Sequence, residues 1–150
     1  MAYSYVVNVC MQLPDSVDPE SIAVIDYVLL EGKGAVKEFP SHLFFRYQED
    51  IPRYRALYSP LGVGRYNSSL SHADGFGSFL QTSVVGVKDV DGYYHLILFF
   101  DWVASLGVKD QVIGYVQNIS HPEDVIVLIC KGGKLYADPE KKFSESCQLV

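Results

Sequence analysis

Hydrophobic spacing divides this chain into elements, and the stretch from Ser78 to Asp101 organises the rest. Phe79 to Val87 and Tyr93 to Phe100 read as two strands joined at Lys88-Asp89-Val90-Asp91-Gly92. Asp-Gly beside β-branched and aromatic residues signals a tight reversal, which the positive φ open to glycine permits. In the second strand Tyr94, Leu96, Leu98 and Phe100 share one face, and Tyr93, His95, Ile97 and Phe99 the other. Beyond His95 both faces are apolar, the pattern of a central strand.

The remaining elements follow from the same spacing. Tyr5 to Leu13 is rich in valine and ends at Pro14, which predicts a strand. Asp18-Pro19-Glu20 supplies an N-cap, a first-turn proline and an acidic group for the helix dipole, and apolar residues at 22, 25 and 29 predict a helix that stops at Gly32. The β-branched content of Ala23 to Leu30 also suits a strand. From Gly32 to Gly77 prolines and glycines break every period, so this segment reads as loops with a helical turn at Ser41 to Tyr47. Its many aromatics predict that it packs on the sheet. Gln111 to Gln117 reads as a third meander strand, although Val108, Val112, Val116 and Ile119 suit a helix equally. Val125 to Cys130 has buried-strand character, Lys131-Gly132-Gly133 turns it back into Lys134 to Ala137, and residues 138–150 read as a frayed tail.

The expected fold class is therefore α+β: one domain, with an antiparallel meander in the C-terminal half packed against an N-terminal helix and a long loop-rich segment. At 150 residues the chain buries ~70% of its unfolded surface, enough for a core without staples. Cys10 and Cys130 sit inside apolar runs, and three cysteines cannot all pair, which suggests reduced thiols. The start Met-Ala-Tyr-Ser-Tyr lacks a basic segment before an apolar stretch, and no window has the length of a membrane span, so the expected location is cytoplasmic.

Charge changes the picture. A net charge of −6 disfavours nucleic acid and anionic membranes as partners of the whole molecule. All the arginines lie between Arg46 and Arg65, while the segments on either side are acidic. In a meander the Lys88 to Gly92 turn and the Asn118 to Asp124 loop leave the same end of the sheet, which gathers Asp89, Asp91, Glu123 and Asp124. The Ser105 to Asp110 connection and the Lys131 to Gly133 turn occupy the other end, with Lys109, Lys131 and Lys134. Four carboxylates on two loops form either a solvated rim or a docking face for a basic protein, which charge would steer.

Other candidates are weaker. Leu61-Gly62-Val63-Gly64-Arg65-Tyr66-Asn67 half-matches a dinucleotide fingerprint, but Asn67 stands where a third glycine belongs. His72-Ala73-Asp74-Gly75 pairs an imidazole with a carboxylate on a flexible loop, as acid-base chemistry needs, though Asp-Gly more often only turns the chain. His42, His72, His95 and His121 lack metal-ligand spacing, and no metal or cofactor is expected. Cys130 has no activating neighbour in sequence. Arg46, Arg53, Tyr54, Arg55, Arg65 and Tyr66 form a second candidate patch. Arginine and tyrosine suit interface hot spots, a small-ligand pocket under Arg46 to Gly77, or single-stranded nucleic acid; pairing with Glu49, Asp50 and other carboxylates is the plain alternative.

The run Phe99-Phe100-Asp101-Trp102, then Gly114-Tyr115-Val116, then Val125 to Cys130 leading into Lys131-Gly132-Gly133-Lys134-Leu135-Tyr136 resembles small bacterial immunity proteins of polymorphic-toxin systems. The likeness covers about a third of the chain. It implies a non-enzymatic cytoplasmic inhibitor that binds a toxin domain, often a basic nuclease, and it assigns no site residues.

Overall fold

Valine-rich alternation makes Tyr5–Leu13 a strand, β1, and β1 lies inside the sheet that the rest of the chain builds. The computed structural model describes residues 5–30, 36–50, 66–87 and 90–138. After β1 come α1 (Pro19–Leu29), a 3-10 helix (Leu43–Asp50), β2 (Tyr66–Ala73), β3 (Gly77–Val87), α2 (Val90–Ala104), β4 (Gln111–Asn118), β5 (His121–Lys131) and β6 (Lys134–Asp138). The strands form one antiparallel sheet in the order β2-β3-β1-β4-β5-β6. The α+β class is thus present, as a sheet of six strands with two α-helices among the described residues.

The arrangement differs from the expected meander in two ways. Tyr93 to Phe100 lies within α2, so Lys88 to Gly92 joins a strand to a helix and closes no hairpin. Leu96 to Phe100 and Trp102 to Ala104 are all buried apolar residues. A run that is apolar on every side looks the same to a period of 2 and of 3.6, and only its length separates buried helix from buried strand. The tight hairpin is instead β2–β3, turned by Asp74-Gly75-Phe76, where Gly75 has φ 84 and Phe76 N–H donates to Ala73 O at 2.9 Å. Tyr66 to Ala73 is therefore a strand in a segment expected to be loops, its ladder supplied by β3 rather than by its own serine-rich composition. The second difference is β1, which lies between β3 and β4 in the place expected for Tyr93 to Phe100.

Other expectations hold. Asp18 caps α1, its carboxylate accepting from Ser21 N–H at 2.6 Å, and Val24, Ile25, Val28 and Leu29 are buried. Residues 111 to 118 form a strand and not a helix. The expected turn at Ser41 to Tyr47 overlaps the 3-10 helix Leu43–Asp50.

The core lies on one face of the sheet. Val7, Val9, Met11 and Leu13 of β1 are buried beside Leu80 and Val84 of β3, Ile113 and Val116 of β4, and Leu128 and Cys130 of β5. Against this face Phe44 of the 3-10 helix meets Phe99 of α2 at 5.2 Å between ring centroids, and Phe45 meets Trp102 at 5.1 Å. A buried polar link joins three elements. His42 Nδ1 accepts from Phe44 N–H at 3.1 Å, which assigns the ring proton to Nε2 and makes it the donor to Asp101 Oδ2 at 3.0 Å. Asp101 Oδ1 accepts from Leu135 N–H at 2.9 Å. Among the described residues no helix is long and apolar enough to cross a membrane.

Candidate binding face

Alternation along β1 leaves Cys10 and Gln12 exposed opposite the core, and Gln81 of β3 and Tyr115 of β4 are exposed on the same side. Among the described residues no element covers this side of the sheet. Its shape depends on an irregularity in β4, whose register with β5 shifts between Val112 and Gly114. The bulge turns Ile113 into the core, at 2% exposure, and leaves Val112 on the open side at 65%. Gly114 makes it possible. A Cβ at this position would overlap Asn8 O and lie 2.8 Å from Asn8 C, so only a residue without a side chain lets β4 approach β1 this closely.

The open face has two chemical halves. On β4, β5 and β6 it is apolar, with Val112, Tyr115 and Val125 exposed and Val127, Ile129 and Tyr136 half-buried. Register places these residues on one side, since Tyr115 pairs with Val127, Val112 with Ile129 and Ile129 with Tyr136. On β2, β3 and β1 the described residues are mostly polar and uncharged, Ser69, Ser71, Gln81, Ser83, Asn8, Cys10 and Gln12, with half-buried Phe79 and Val6 among them. Near the boundary lies a depression of about 370 Å³, whose lining includes Asn8, Cys10, Ser69, Gln81, Ser83 and Tyr115 and, among the described residues, no charged one. Asn8 Nδ2 donates to Tyr115 Oη at 2.8 Å across the two halves. Sequence reasoning passed over Asn8 and Gln81; the polar series Asn8, Cys10, Gln12 interleaved with Val7, Val9, Met11 and Leu13 was the available signal.

Of the acidic candidates, Glu123 and Asp124 lie near one end of this sheet, at the start of β5. Val87, Tyr5, Asn118 and His121 are successive cross-strand partners, so the β3–α2 connection and the start of β5 leave the same end. With β1 and β4 between them they are about 14 Å apart across the strands. Glu123 and Asp124 are exposed in the irregular first turn of pairing of β5, and Glu123 Oε1 lies 3.7 Å from His121 Nδ1. Asp91 is the second residue of α2, and Asp89 lies outside the described residues. The opposite end holds Asp110, whose Oδ1 accepts from Gly132 N–H at 2.9 Å, together with exposed Lys109, Lys131 and Lys134.

Of the arginine and tyrosine patch, Arg46 is an exposed residue of the 3-10 helix and Tyr66 opens β2; Arg53, Tyr54, Arg55 and Arg65 lie outside the described residues. His72 Nε2 is 3.5 Å from Asp74 Oδ1, both well exposed, and His72 Nδ1 is 3.4 Å from Ser78 Oγ. Such a pair in open water lacks the exclusion of solvent that would strengthen its electrostatics. Cys130 is buried, its thiol against Val108 O at 3.9 Å. Burial, with Asp110 and Asp101 nearby, pushes its pKa up and keeps it a neutral thiol. Among the described residues no group of three or more His, Cys, Asp or Glu is placed to hold a metal ion. No family model, curated protein or solved structure matches the chain.

Proposed function

We propose that this protein is a non-enzymatic inhibitor, an immunity-type protein that works in the cytoplasm by docking a basic protein domain against the β4–β6 half of its open sheet face. The observation that carries this reading is a row of exposed apolar side chains along the sheet, Val112, Tyr115 and Val125, whose Val125 end follows directly on the exposed carboxylates Glu123 and Asp124. Interface cores are depleted of charge and enriched in aromatic residues, and contiguous exposed apolar surface marks such places. The apolar half supplies the durable contact. The carboxylates steer a cationic partner towards it, and the lysines at the other end repel the same partner in the reversed orientation.

The test uses a basic partner domain recovered with the protein by pull-down from its source cell. Reversing both charges, Glu123→Lys with Asp124→Lys, should weaken binding roughly tenfold or more at low salt, mainly by slowing association, with a smaller difference at high salt. Val112→Asp should instead speed dissociation. Equal affinity of the charge-reversed and parent proteins at low salt would remove the acidic end from the interface.

A further inference from the structure

The depression at the boundary between the two halves offers different chemistry from the protein-docking face proposed above, with which it shares Tyr115. Its volume, about 370 Å³, falls within the roughly 300–1,000 Å³ of small-molecule sites. It is hollow because Cys10, Ser69 and Ser83 are small, while Asn8, Gln81 and Tyr115 stand around them. A charged ligand would shed water here and meet no opposite charge among the described residues. A purely apolar ligand would cover the carboxamides of Asn8 and Gln81 and leave their donors and acceptors unpaired. Each carboxamide has donor and acceptor atoms, as does each serine hydroxyl, and the Tyr115 ring offers a flat apolar surface.

The site is also partly organised in advance. The bond from Asn8 Nδ2 to Tyr115 Oη, 2.8 Å long, holds both side chains and still leaves Asn8 its carbonyl oxygen and a second N–H. Among the described residues Gln81 Nε2 reaches the weak acceptor Cys10 Sγ, at 3.7 Å, a contact that a ligand hydroxyl replaces at little cost. We infer that this depression binds a neutral, hydroxyl-rich small ligand of the saccharide class.

Cys10 is an internal reporter, because it is exposed and lines the depression, whereas Cys130 is buried. The full-length protein is alkylated with iodoacetamide and each cysteine is followed by peptide mass mapping. Neutral probes are glucose, galactose, mannose, N-acetylglucosamine and their disaccharides; charged probes are glucuronate and glucosamine. A bound sugar at about ten times its Kd should slow alkylation of Cys10 about tenfold, since only the unoccupied fraction reacts. Gln81→Leu and Ser83→Trp should each abolish that protection, with Cys130 remaining unlabelled as proof of an intact core. The proposal fails if no neutral sugar protects Cys10, if the charged sugars protect equally well, or if both variants keep the protection.

Discussion

Asp101 is the residue on which the greatest structural demand falls, for its two carboxylate oxygens hold Leu135 of β6 and His42 ahead of the 3-10 helix to α2. Asp101→Asn puts an N–H where one of two donors already points, which leaves a buried donor unpaired. Chemical denaturation should show a loss of roughly 2–4 kcal/mol, while an unchanged midpoint would mean that the link carries no stability. Asp18 acts at the surface. Its pKa is lowered by the bond from Ser21 backbone N–H and then by the Ser21 side chain, so the ionised cap stabilises the folded state above the unfolded value and this contribution fades as the pH falls through the lower folded value. Asp18→Ala should therefore lower the melting temperature at pH 7, and the gap from the parent should close below about pH 4. At this scale the sequence was legible where chemistry is local: Asp-Pro-Glu announced the cap. Asp101 gave no such signal, because its partners lie 59 and 34 positions away in sequence. Asn8 and Gln81 were equally silent, since the value of a carboxamide in a depression depends on what three other strands place around it.

Among the elements, β4 shows how one residue shapes a surface. Gly114→Ala forces a Cβ into the backbone of Asn8 and Val9 of β1, so β4 must shift away or lose its bulge. A loss of roughly 3 kcal/mol or more is expected by denaturation, with a changed environment for Tyr115 in fluorescence; a variant as stable as the parent would show that the close approach is not required. The same scale explains the misread elements. The chain has two Asp-Gly pairs after residue 70, and turn chemistry alone does not decide between them. Asp74-Gly75 makes the hairpin because β2 and β3 can pair on both sides of it, whereas Gly92 is absorbed into the first turn of α2. Strands β1 and β6 and helix α1 were readable because their patterns are one-sided or bounded by strong punctuation, and β5 was readable from Val125 to Cys130, whereas His121 to Asp124, expected to be loop, already belong to it. Helix α2 was not, because residues buried all round carry no period.

For the whole molecule, the placement of β1 between β3 and β4 matters more than any local pattern. It widens the open face, divides it into an apolar and a neutral polar half, and still brings the β3–α2 connection and the start of β5 to one end. That common end was foreseen from an up-and-down order which the sheet does not have, because inserting one antiparallel strand between two others of the same sense need not change which end each leaves from. The account's central claim is that the β4–β6 half of this face, with Glu123 and Asp124, receives a basic protein. Backbone amide shifts of the labelled protein, followed by NMR during titration with a basic partner domain recovered by pull-down from the source cell, test that claim directly. The account predicts that the largest changes map to Val112, Tyr115, Val125 and the Glu123–Asp124 stretch and shrink with added salt. Changes centred on α1 or the 3-10 helix, with β4 and β5 unmoved, would contradict it.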